Sequence, residues 1–112
     1  MGVSANRLYG PAHLTTSAVA IVTSGANVTT QVTTAVVANV GTGVNTVSIY
    51  VVPSGGSADL TTLIVDALPL DEGSSAIVGP LVAAVLQPGD AIHALASAAD
   101  SVNILISGNR IS

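Results

Sequence analysis

The sequence predicts an all-β domain, an antiparallel β-sandwich or jelly roll of seven to eight short strands. Three observations carry this prediction. Apolar and polar residues alternate with period two in several runs, the mark of a strand with one buried face. Clusters of Gly, Pro, Asn, Asp and Ser separate those runs at short intervals. No window has a helical apolar period long enough to cross between parallel strands, so neighbouring strands must run antiparallel. A chain of 112 residues has room for one core of ordinary size.

The elements follow in order. Met1 to Asn6 are small or polar and lack any period, which reads as a mobile arm. Arg7-Leu8-Tyr9-Gly10-Pro11 then sets a charge, an apolar residue and an aromatic before a rigid turn. Residues 1–12 are therefore expected to form an arm and anchoring turn, and residues 13–112 the sandwich. The first strand is expected over 14–23 and ends at the Ser24-Gly25-Ala26-Asn27 turn. The second, 28–40, alternates Val28, Thr30, Val32, Thr34, Val36, Ala38 and Val40 with Thr29, Gln31, Thr33, Ala35, Val37 and Asn39. Its many β-branched residues favour an extended backbone.

After Gly41-Thr42-Gly43, the strand 46–52 puts Val47, Ile49 and Val51 on one face and Ser48, Tyr50 and Val52 on the other. The Pro53 to Ser57 turn leads to a strand over 60–68, and Asp71-Glu72-Gly73-Ser74 to one over 76–86. Within the latter, Leu81 to Leu86 is compatible with a turn of helix, but Pro80 and Pro88 bracket it too tightly for a long one. Gln87-Pro88-Gly89-Asp90 makes the next turn, with Asp90 bonding its own backbone. Strand 91–98 should bury Ile92, Ala94 and Ala96 and leave His93, Leu95 and Ser97 on the outer face. Ala99-Asp100 turns into the strand 101–107, and a short eighth strand is expected at the C-terminus.

Composition narrows function. Charged residues are 7% of the chain, against about 25% in an ordinary soluble domain. Arg7 and Arg110 are the only Lys or Arg; Asp59, Asp66, Asp71, Glu72, Asp90 and Asp100 bring the net charge to -4. Two arginines cannot track a phosphate backbone, and Tyr9 and Tyr50, the only aromatics, cannot stack a row of bases, so nucleic acid is not an expected partner. The longest compact apolar run, Leu81 to Leu86, is too short for a membrane helix. The absence of cysteine excludes thiolate metal centres and disulfides.

Catalytic candidates are few. His13 and His93 have no base or nucleophile assigned to them by spacing, and no metalloprotease, nucleophile-elbow or phosphate-loop motif is present. The adjacent acids Asp71 and Glu72 lack the repeated spacing of a calcium loop. No enzymatic activity and no cofactor are expected. The sparse charge instead points to contact between proteins. A monomer of this size exposes on the order of 5,600 Å², and eight charges over that area leave a bland surface suited to burial against copies of itself or a larger assembly. The expected contact residues are Arg7, Leu8, Tyr9 and Pro11 in the anchoring turn, with Tyr50 and His93 on outer strand faces.

An ordered set of segments also carries a family likeness. Arg7-Leu8-Tyr9-Gly10-Pro11-Ala12, Leu14-Thr15, Val51-Val52-Pro53-Ser54-Gly55-Gly56-Ser57, Pro88-Gly89-Asp90, Ala94 to Ala99 and Val102 to Gly108 together resemble small β-sandwich virion structural proteins of tailed bacteriophages. The region Ile21 to Asn27 departs from that pattern, lacking the aromatic and the lysine that members often carry there. The resemblance implies a capsid decoration (cement) protein on the outer shell, a homotrimer that binds the major capsid protein and locks neighbouring capsomers. It alternatively implies a minor component of the neck, tail or fibre, or a module for a host surface or glycan.

Overall fold

A computed structural model describes residues 2–112. Nine strands follow in order: β1 (Val3–His13), β2 (Val19–Thr23), β3 (Thr29–Asn39), β4 (Asn45–Val52), β5 (Leu63–Leu70), β6 (Ser75–Ile77), β7 (Val85–Leu86), β8 (Ala91–Ala96) and β9 (Val102–Ile111). A short 3-10 turn, Gly79–Leu81, lies between β6 and β7. One sheet has the order β1-β9-β3-β6, with β7 also pairing with β3; the other is β2-β8-β4-β5. All pairings are antiparallel. The all-β, antiparallel, two-layer expectation is thus met.

The core lies between the layers and is aliphatic. Val47 and Ile49 of β4 and Ile92, Ala94 and Ala96 of β8 are fully shielded, as are Val32, Ala35 and Val37 of β3 and Val102, Ile104 and Ile106 of β9. Alternation in β4, β8 and β9 places these residues inward and Tyr50, His93, Asn103 and Leu105 outward, as period two requires. Leu81 and Leu86, both fully buried, close the core beside β3.

Several elements differ from the sequence expectation. Residues 3–13 are a strand, not a mobile arm joined to a turn; Met1 lies outside the described residues. β1 pairs with β9 along its whole length, from Val3 opposite Ile111 to His13 opposite Asn103. Those hydrogen bonds order a segment whose side chains have no period of their own. In place of a strand over 14–23, only Val19–Thr23 is extended in a ladder, while residues 14–18 bridge the layers through Leu14 N–H to Val102 O and Ala96 N–H to Thr15 O. The expected strand 76–86 is broken because Pro80 lacks an N–H for a ladder and Val78 and Leu81 turn into the core. The terminal strand runs unbroken to Ile111, so no separate eighth strand follows it.

β5 begins three residues later than expected because Asp59 to Thr62 form a closed turn. The Asp59 carboxylate accepts from Thr61 N–H (2.9 Å) and from the Thr61 hydroxyl. These bonds, the hydroxyl first, hold its pKa below the ordinary aspartate value. Protonation removes the acceptor charge, so the support this turn receives is present at neutral pH and lost as pH falls through the depressed pKa. In an NMR pH titration, Thr61→Val is expected to move the Asp59 midpoint upward, toward that of a free aspartate. An unchanged midpoint would show that the hydroxyl is not the cause.

Candidate functional site

β1 carries four of the six expected contact residues, Arg7, Leu8, Tyr9 and Pro11, but does not gather them on one face. Two irregularities in its pairing with β9, between Arg7 and Tyr9 and between Tyr9 and Ala12, turn consecutive residues the same way. Leu8 is consequently buried in the core and Tyr9 packs half-buried against it. Leu8 therefore serves the interior of its own chain. Arg7 remains exposed opposite Ser107, and Pro11 is exposed beyond Gly10, whose φ of 76° is open to glycine and strained for other residues.

Pro11 forms one wall of a shallow groove on the outer face of the first sheet. Val36, Ala38, Asn103, Ile104 and Leu105 complete it, around about 270 Å³. Cross-strand register extends the apolar row, since Val36 stands opposite Leu105 on β9 and Ile77 on β6. Ile77 is 67% exposed. No acid or arginine lines this groove. Its one polar side chain is Asn103, whose Oδ1 is buried without a hydrogen-bond partner. An unpaired buried acceptor is costly and would be relieved by a donor from a partner. The sequence showed Asn103 on the outward parity of its strand, but not the proximity of Pro11 and Val36, which requires the β1-β9-β3 order.

Tyr50 and His93 meet on the outer face of the other sheet. They are directly opposite in the β4–β8 ladder, flanked by Ala20 of β2 opposite His93 and Leu63 of β5 opposite Tyr50. Both are half-buried, and His93 Nδ1 is shielded without a partner. The two sheets thus each present a mostly apolar outer patch with one unsatisfied polar atom. The expected contact residues fall into separate places: Pro11 in the groove, Tyr50 and His93 on the opposite sheet, Leu8 and Tyr9 against the core, and Arg7 exposed near the middle of β1.

The acids are mostly turn builders. Asp90 accepts from Ser54 N–H and Gln87 N–H, both at 3.0 Å, and Glu72 accepts from Gly43 N–H at 2.7 Å. His13 ends β1 in the first sheet and His93 lies in the second, so the histidines do not share a site. Among the described residues no three His, Asp or Glu side chains gather as a metal site, and no helix is long and apolar enough to cross a membrane. No protein-family model, no curated protein and no solved structure matches this chain.

Proposed function

We propose that this chain is a non-catalytic structural protein of a tailed-phage virion, a decoration (cement) protein that attaches as a homotrimer to the outer capsid and stabilises it. The observation that carries the reading is the uncharged groove on the outer sheet face, bounded by Pro11, Val36 and Leu105 and holding the unpaired Asn103 oxygen. Such a face packs on a protein shell without stranding charge, whose desolvation is expensive. The total surface of 5536 Å² carries eight charged side chains, far fewer than colloidal stability alone favours. The phage resemblance of the ordered segments supplies the biological setting.

The finer reading of the fold as a jelly roll has support in the strand order. If β6 and β7 count as one strand interrupted by the 3-10 turn, eight strands remain in two four-stranded layers. The chain then changes layer at every connection except β4 to β5, and the layer orders are those of two interleaved Greek keys. Jelly rolls occur in capsid and lectin proteins alike, so the fold by itself does not select between those roles.

Copy number and position in intact particles test the function. Cement is expected in many copies spread over the shell, and Leu105→Glu, which places a charge in the groove, should empty those sites while leaving the circular dichroism spectrum unchanged. A small ring of copies at the portal vertex would overturn the cement reading in favour of the neck or tail alternative. Full shell occupancy by Leu105→Glu would remove the groove from the attachment surface.

A further inference from the structure

The two sheets have four lateral edges, and three of them are blunted against further strand pairing. β2 is five residues long with an irregular register. β5 carries Asp66, Pro69 and an Ala67 whose φ is 49°. The β6/β7 edge is broken into pieces of three and two residues by the 3-10 turn. Short strands, charges, prolines and bulges are the devices that keep an edge from templating another strand. The fourth edge, β1, carries bulges and Pro11 only in its second half; from Val3 to Arg7 its register is regular, with Arg7 the only charged residue and no proline in that stretch.

Backbone alternation shows what this edge offers. Gly2 and Ser112 exchange hydrogen bonds in both directions, N–H to O at 2.8 and 2.9 Å. In an antiparallel ladder every second residue repeats that arrangement, so Ser4 and Asn6 also turn their peptide groups toward β9. Val3, Ala5 and Arg7 therefore aim their N–H and C=O groups away from the sheet. Residues 2–5 are all exposed in succession, so neither face of this stretch is covered, and Val3 is 68% exposed.

We propose that β1 is a self-association strand, through which a second copy of this chain adds antiparallel to the first across a two-fold axis at Ala5. Only that centre uses all three free residues: Val3 faces Arg7 of the other copy, Ala5 faces Ala5, and Arg7 faces Val3. An axis one residue either way leaves one of the three unpaired, and an axis at Arg7 sets arginine against arginine, which is repulsive. The small Ala5 lets the copies meet without a clash, and the junction is isologous, so each copy contributes the same groups. The contact extends one sheet across two chains. It is two-fold by construction, so it links assemblies built by other contacts, and it stands or falls separately from the capsid reading.

The chain has no cysteine, so single-thiol variants report the register. Two residues facing each other in a hydrogen-bonded antiparallel pair have Cα atoms about 5.5 Å apart, inside the roughly 4.4–6.8 Å range for a disulfide. Ala5→Cys is therefore expected to give a covalent dimer on mild oxidation in dilute solution. Val3→Cys puts the two thiols on the order of 13 Å apart along the strands and should cross-link at least tenfold less. Ala5→Pro removes only an outward N–H, leaves pairing with β9 intact, and should lower the average mass in sedimentation at unchanged thermal stability. Equal cross-linking of the two thiol variants, none with Ala5→Cys, or an unchanged mass for a folded Ala5→Pro would each overturn the proposal.

Discussion

Asn39→Ala is expected to destabilise the protein by about 3 kcal/mol, because two buried partners lose their hydrogen bonds and each such loss costs roughly 1–3 kcal/mol. Asn39 ends β3 on its inward side and is 1% exposed. Its Nδ2 donates to Gly43 O and Leu70 O, both at 2.8 Å, and its Oδ1 accepts from Gly41 N–H and Asn45 Nδ2, both at 3.0 Å. One side chain thereby joins the end of β3, the loop to β4, the start of β4 and the end of β5. Leu70 O and Asn45 Nδ2 lie on buried bonds, whereas the loop groups of residues 41 and 43 can recover water. For a domain of this size the loss corresponds to a melting shift on the order of 10 °C. Chemical and thermal unfolding would measure it; a shift of a degree or two would mean that water replaces the amide.

Gly108→Ala is expected to cost at least about 3 kcal/mol, at the upper end of overpacking penalties. A Cβ at this position would land on the Gln31 carbonyl oxygen of β3 and within 3.0 Å of Leu8 Cδ1. Gln31 O is backbone and cannot swing away, so β3 and β9 must part where Gly108 faces Val32 on one side and Asn6 on the other. The central strand of the first sheet would be pried from one neighbour. Gly79→Ala is the matched control, since nothing lies within 4 Å of its added methyl, and a change within about 0.5 kcal/mol is expected there. Comparable effects of the two substitutions would show that the close approach of strands at Gly108 does not set the cost.

Local chemistry made the fold class and most turns legible. Period two places Ile92, Ala94 and Ala96 inward and His93 outward whichever strands lie alongside β8, and that is how they lie. Asp90 bonds the Gln87 amide within its own turn, as a short acid after Pro-Gly does. The candidate site was legible only residue by residue. Tyr50 and His93 were each recognisable as outward, but their meeting depends on the β4–β8 register, and the groove depends on three strands distant in sequence.

β3 shows how tertiary context decides what a pattern leaves open. Its sequence alternates acceptably on either parity, with Val32 and Val36 on one and Ala35 and Val37 on the other. Thr33 is an extra residue, unpaired between Val32 opposite Gly108 and Thr34 opposite Ser107, and its hydroxyl donates to Ser107 O at 3.1 Å. The bulge switches the inward face from Thr30 and Val32 to Ala35, Val37 and Asn39, which exposes Val36 to the groove and brings Asn39 to its four partners. By itself the sequence determined that this chain folds from antiparallel strands around an aliphatic core, because side-chain alternation and turn preferences act over a few neighbouring residues. Only the tertiary structure decided that the first residues form a strand, which face of β3 turns inward and which side chains meet. Those outcomes rest on hydrogen bonds and packing between β1, β3 and β9, whose partners are tens of residues apart and leave no periodic trace in the chain.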